Sequence, residues 1–65
     1  MYKVKMNLEG LDGNAFNLIG AFKRNARIQK IDPEWTNKII NEMMESDYDN
    51  LLCVLADNTE PEDEE

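Results

Sequence analysis

The chain has 65 residues, with 14 acidic and 7 basic side chains, no histidine and one cysteine, so its formal net charge is −7. A chain of this length forms one domain at most and buries only about 60% of the surface that its unfolded form exposes. These figures exclude a dinucleotide-binding fold, an internal disulfide, and the zinc sites and nucleophile pairs that depend on histidine. We therefore expect a domain that is not an enzyme and holds no cofactor.

The sequence gives no sign of a membrane segment or of export. No apolar run approaches the roughly 20 residues of a membrane span, and residues 1–6 lack the continuous apolar stretch of a signal peptide. The single cysteine, Cys53, lies in an apolar segment without a cationic neighbour, so we expect a buried and unreactive thiol. These features predict a cytoplasmic protein.

Charge is divided unevenly along the chain. Residues 1–30 hold six basic and two acidic side chains, whereas residues 31–65 hold one basic and twelve acidic side chains. The two parts therefore carry net charges of +4 and −11. Residues 61–65 contain one proline, four acids and nothing apolar, which predicts a disordered acidic tail after a single compact domain over residues 1–60.

Residues 2–8 alternate between apolar and polar side chains, which predicts a half-buried strand. Its partner stays open among three candidates: residues 51–57, a second copy across a dimer axis, or helices on which it lies as an arm. A chain this short has a hydrophobic balance close to zero. We therefore expect a homodimer in which the 2–8 strands pair with each other or swap onto the helices of the second copy.

The turn at residues 9–14 precedes a helix predicted over about 14–29, with Asp12 or Asn14 as its cap. Its apolar stripe comprises Ala15, Leu18, Ile19, Phe22 and Ala26, with Phe16 on the edge of the stripe. Gly20 lies inside this helix at a cost in helix propensity. The glycine predicts close approach by another backbone.

Two further helix starts follow. Asp32-Pro33 predicts a helix over about 33–45, with an apolar face formed by Trp35, Ile39, Ile40, Met43 and Met44. Ser46 and Asp49 have the spacing of a capping box, so we favour a helix over residues 51–56 and keep a strand there as the alternative. The predicted fold is small α+β and mostly helical, with an N-terminal strand or arm followed by three short helices.

Three segments, Leu11–Phe16, Leu18–Phe22 and Asp47–Leu52, resemble a group of very small phage, prophage and bacterial proteins. That group has a DGNAF-type turn entering a helix and a GDYD-x-LL-type start to its last helix. The resemblance covers residues 8–56, and Ser46 stands where the group has glycine. It implies a phage or prophage setting and a shared compact fold, but no activity, since none is assigned to the group.

The acidic second half predicts a protein-interaction module that presents its acids to a basic host protein. Such a phage accessory protein or inhibitor would block a nucleic-acid-binding partner by imitating phosphate charge. Trp35, in the first turn of its helix, is the predicted anchor of the contact. The predicted acidic contact residues are Glu34, Glu42, Glu45, Asp47 and Asp49.

The alternative function is a small nucleic-acid-binding regulator that uses Lys23, Arg24, Arg27 and Lys30. Four cations suffice for a weak, salt-dependent contact with phosphates, but a net charge of −7 opposes it. The same cations can be neutralised by acids of the chain itself. Asp12, Asp47 and Asp49 lack the number of ligands that a cation site needs, so we expect no metal.

Overall fold

The structure, a computed structural model, describes residues 2–62. Its elements are β1 (Val4–Lys5), α1 (Ala15–Ile28), α2 (Pro33–Met43), α3 (Tyr48–Asp57) and β2 (Thr59–Glu60). This arrangement confirms the predicted small α+β, mostly helical fold, including the helix over residues 51–56. Residues 63–65 of the predicted acidic tail lie outside the described residues.

Strand β1 pairs with β2 in parallel, with Val4 opposite Thr59 and Lys5 opposite Glu60. The Val4 N–H donates to the Asn58 carbonyl at 2.9 Å, and the Met6 N–H donates to the Glu60 carbonyl at 3.0 Å. Parallel strands need a long crossover connection, which the three helices supply. The segment 51–57, considered from sequence as the strand's partner, is helical, and the pairing residues lie just beyond its end.

The opposite edge of β1 contacts a side chain instead of a strand. The Lys5 N–H donates to Gln29 Oε1 at 2.9 Å, and Gln29 Nε2 donates to the Lys5 carbonyl at 2.7 Å. The Gln29 amide thus takes the place of a neighbouring strand and covers an edge that could otherwise pair with another chain. The homodimer stays a prediction, and a second copy pairing at Lys5 would have to displace Gln29.

Each helix begins at a side chain that accepts a hydrogen bond from a backbone N–H. The caps are Asn14, Asp32 and Asp47, which accept from the N–H groups of Phe16 at 2.8 Å, Glu34 at 3.0 Å and Asn50 at 3.0 Å. The cap of α3 is therefore Asp47, one residue after the predicted Ser46. These three bonds satisfy N–H groups that have no partner inside a helix.

Helix α1 ends at a lysine in the left-handed region. Lys30 has φ 61°, its N–H donates to the Arg27 carbonyl at 3.0 Å, and the Ile31 N–H donates to the Ala26 carbonyl at 3.0 Å. This pair of bonds is a Schellman ending, in which glycine usually occupies the left-handed position. A lysine there costs about 1 kcal/mol relative to glycine.

The buried core lies between β1 and the three helices. It comprises Val4, Met6, Leu18, Phe22, Ala26, Ile39, Ile40, Met43, Leu51 and Leu55. The predicted stripe of α1 is confirmed, since Ala15 and Ile19 pack against this core as well. Tyr2 and Leu8, the outer apolar residues of the predicted strand, are 42% and 40% exposed.

Two expectations about single residues are wrong. No other group lies within 4 Å of the position that a Cβ on Gly20 would occupy, so no backbone approaches closely there. Cys53 is exposed because α3 buries the side that carries Leu51 and Leu55, and Cys53 lies about 200° around the helix from Leu51.

Candidate functional site

Two of the segments that carry the resemblance, Leu11–Phe16 and Asp47–Leu52, meet in the structure. The Tyr48 hydroxyl, at the start of α3, donates to the Gly13 carbonyl in the turn before α1. A Cβ on Gly13 would lie 3.4 Å from that hydroxyl, which is an ordinary van der Waals contact. Both segments therefore have a structural role, which is to hold the starts of α1 and α3 together.

An exposed apolar surface lies beside this junction. Phe16, Met44 and Tyr48 are 82%, 56% and 43% exposed. They surround an open groove of about 260 Å³ that is also lined by the buried Met43 and Leu51. We call the surface formed by Phe16, Met44 and Tyr48 the Phe16 face. Contiguous exposed apolar patches of this kind mark interaction sites.

One predicted acidic contact residue lines the groove of the Phe16 face, and others lie close to it in the chain. Asp47 lines the groove, and the exposed Glu45 and Asp49 are close neighbours of it in the chain. Glu42 is half-buried near the end of α2, where its carbonyl accepts from Asn50 Nδ2 at 2.8 Å. Four of the five predicted acidic contact residues therefore lie within residues 42–49, the segment that joins the end of α2 to the start of α3.

Glu34 and Trp35 lie at the other end of α2. Glu34 precedes Glu42 by eight helical residues, which is about 12 Å along the axis. Trp35 is half-buried, with its ring centroid 5.2 Å from that of Tyr2 and 6.1 Å from that of Phe22. The predicted anchor thus packs within the chain, away from the grouped acids.

The exposed aromatic residue in the groove with Asp47 is Phe16, which the sequence pattern places on the edge of the α1 stripe. Phe16 lies about 200° around α1 from the buried Leu18. A large aromatic side chain outside the apolar stripe of an amphipathic helix is itself a signal, and it would have identified this residue. The exposure of Met44 had no such signal, because its spacing fits the apolar face of α2.

A second groove, of about 440 Å³, lies between the end of α1 and the start of α2. We call it the basic groove, since three of the four predicted nucleic-acid-binding residues line it. Its lining residues are Lys23, Arg27, Lys30, Ile31, Asp32, Pro33, Thr36 and Asn37. The fourth predicted cation, Arg24, is exposed next to Lys23.

The three cations that line the basic groove, Lys23, Arg27 and Lys30, are exposed. Among residues 2–62, no hydrogen bond recorded in the structure has a lysine or arginine side chain as its donor. The nearby Asp32 carboxylate accepts from the Glu34 N–H. Thr36 is buried, and its hydroxyl donates to the Asp32 carbonyl at 3.1 Å.

Comparison with known proteins identifies no relative. No family model matches the chain, and neither a curated protein nor a solved structure matches it. Within residues 2–62, no group of three or more potential metal-ligating side chains occurs, and no helix there has the length and apolar character to cross a membrane. The resemblance to phage proteins stays a prediction, so function must be argued from the two surfaces.

Proposed function

We propose that the protein is a non-enzymatic protein-interaction module, a phage or prophage accessory protein or inhibitor that acts in the host cytoplasm. In this proposal the Phe16 face receives an apolar side chain of a basic host protein. The observation that carries the proposal is the 82% exposure of Phe16 beside an apolar groove.

The energetics of the Phe16 face favour a protein partner. Leaving a phenylalanine side chain in water forgoes about 1.5–3 kcal/mol relative to burying it. In a small domain with little stability in reserve, that free energy becomes available when a partner covers the ring. Aromatic residues beside pockets are also the side chains that dominate protein–protein affinity. Phe16 therefore replaces Trp35 as the anchor in this proposal.

The charge around the Phe16 face favours a basic partner. Glu45, Asp47 and Asp49 would lie opposite lysine or arginine side chains, which speeds association and fixes orientation. A second copy docking through the same face would bring these three acids against their own counterparts, which opposes that contact. A nucleic-acid-binding protein has suitable chemistry, since its surface is built to meet phosphates.

The proposal is tested by capturing host proteins from lysate with immobilised wild-type protein and three variants. Phe16→Ser removes the anchor, and Glu45→Lys combined with Asp49→Lys reverses the charge while leaving the Asp47 cap in place. The control, Asp57→Lys, reverses an acid about 12 Å farther along α3 than Asp49. Circular dichroism confirms that each variant is folded.

We expect proteins that wild type and Asp57→Lys both capture, and that both Phe16→Ser and the double charge variant lose. Capture of the same proteins by all four would show that the Phe16 face is not the contact. If Phe16→Ser alone loses capture of these proteins, the apolar contact is supported, and the proposal that the partner is basic is overturned.

A further inference from the structure

We infer that the basic groove binds a nucleotide, with its phosphate on Lys23, Arg27 and Lys30 and its base and sugar against Ile31 and Pro33. The nucleotide is either a free molecule or one unit of a single strand, because the recognised chemistry is the same. This site is separate from the Phe16 face, so the inference does not depend on the proposed function.

The size and lining of the basic groove suit a small organic phosphate. Binding sites for small molecules measure about 300–1,000 Å³ and combine an apolar lining with a few placed polar groups. The basic groove has about 440 Å³. Ile31 and Pro33 supply its apolar surface, and the exposed amide of Asn37 offers a hydrogen-bonding group beside them.

The arrangement of the cations favours a phosphate group. Lys23 and Arg27 are four residues apart, a spacing that keeps their side chains on one side of α1, and Lys30, two residues beyond the end of the helix, lines the same groove. The C-terminus of a helix carries a partial negative charge of about half an elementary charge. Four cations lie within residues 23–30, so the helix dipole accounts for only part of this positive charge. Charged donors converging on one groove match the oxygens of a phosphate.

Lys30 adds an independent observation. Its φ of 61° is a conformation in which glycine is favoured over any side chain that has a Cβ. The chain nevertheless carries a lysine at this position, and that lysine lines the basic groove. Glycine would have a lower conformational energy than lysine at this backbone position. We therefore attribute the lysine to a role of its ammonium group in binding.

The overall net charge does not prevent an anion from binding here. Glu42, the first acid of the group around the Phe16 face, lies nine residues beyond Pro33, about 13.5 Å along α2. That separation exceeds the Debye length of about 10 Å at 0.1 M salt. The lining of the basic groove holds Lys23, Arg27 and Lys30 against a single acid, Asp32, so the described lining carries a net positive charge.

The test is an amide NMR titration of the full chain with AMP, adenosine, inorganic phosphate and the single strand (dT)8 at low salt. We expect AMP or (dT)8 to produce saturable shifts confined to residues 23–37. We also expect AMP to bind about tenfold more tightly than phosphate or adenosine, because only AMP uses both cations and apolar surface. Saturation by AMP identifies a free nucleotide as a ligand, and saturation by (dT)8 alone identifies a strand.

Variants separate binding from folding. Arg27→Gln and Lys30→Gly should each weaken binding about fivefold to tenfold, whereas Lys38→Gln, which lies outside the groove on α2, should leave it unchanged. Glycine suits the backbone at position 30, so lost binding there does not come from unfolding. The inference is overturned if neither AMP nor (dT)8 saturates, if phosphate alone binds as tightly as AMP, if the shifts lie elsewhere, or if Lys30→Gly binds like wild type.

Discussion

The two ends of helix α1 present opposite chemistry. At its start, the exposed Phe16 lines a groove with Asp47, whereas at its end Lys23 and Arg27 line a groove with Lys30. About 18 Å of helix separates Phe16 from the last residue of α1. The net charge of −7 averages over both ends and describes neither, so the surfaces have to be considered one at a time.

The largest expected effect separates the binding surface from the core within α1. Phe22 is fully buried and Phe16 is 82% exposed, although both are phenylalanines in one helix. We expect Phe22→Ala to lower the free energy of unfolding by about 3–5 kcal/mol, and Phe16→Ala to change it by about 0.5 kcal/mol or less. Urea denaturation followed by circular dichroism measures both.

Equal losses in these two variants would mean that Phe16 packs inside the domain. That result would remove the observation on which the proposed function rests. Tryptophan fluorescence gives a second measurement, since the Trp35 ring lies 6.1 Å from Phe22. Phe22→Ala should change the emission of the folded protein, and Phe16→Ala should leave it as in wild type.

A smaller effect is expected at the basic end, where Gln29 connects β1 to α1. Gln29→Ala removes both hydrogen bonds to the Lys5 backbone and exposes that edge. We expect a loss of about 1–2 kcal/mol in the free energy of unfolding and increased self-association in sedimentation velocity. Asn37→Ala, an exposed amide on α2, is the matched control and should change neither quantity.

Unchanged stability and sedimentation in Gln29→Ala would show that the edge of β1 does not depend on this side chain. That result would leave the basic end of α1 without its link to the strand.

The smallest effect is expected midway between the two ends. Gly20 is exposed and helical, and no other group lies within 4 Å of the position that a Cβ on this residue would occupy. Gly20→Ala should therefore raise the free energy of unfolding by about 0.5–1 kcal/mol. Both surfaces should keep their binding properties. A destabilised variant would show that another part of the chain approaches α1 at this position.

Local patterns in the sequence predicted the helices, because caps and apolar spacing act within a few residues. The pairing of β1 with Thr59–Glu60 could not be predicted, since two residues are too short for an alternating pattern. The contact between Gln29 and Lys5 joins residues 24 positions apart, and no local pattern indicates it.

The candidate site was predicted in part for a similar reason. Spacing identified the acids and the cations, but only the packing of the helices decides which of them come together. The packing of the helices separates Glu34 and Trp35 from the other predicted contact residues and leaves Phe16 exposed to solvent. The packing of the helices also brings Lys30 into a groove with Lys23 and Arg27. The sequence alone does not establish that these three residues line one groove.

The central claim is that the two ends of α1 are separate binding surfaces, and a cross-comparison of two variants tests it most directly. Phe16→Ser and Lys30→Gly are each measured for capture of host proteins and for AMP affinity. The account predicts that Phe16→Ser loses capture and keeps AMP affinity, while Lys30→Gly keeps capture and loses AMP affinity about fivefold to tenfold. Loss of both activities in either folded variant, or of neither in both, would contradict it.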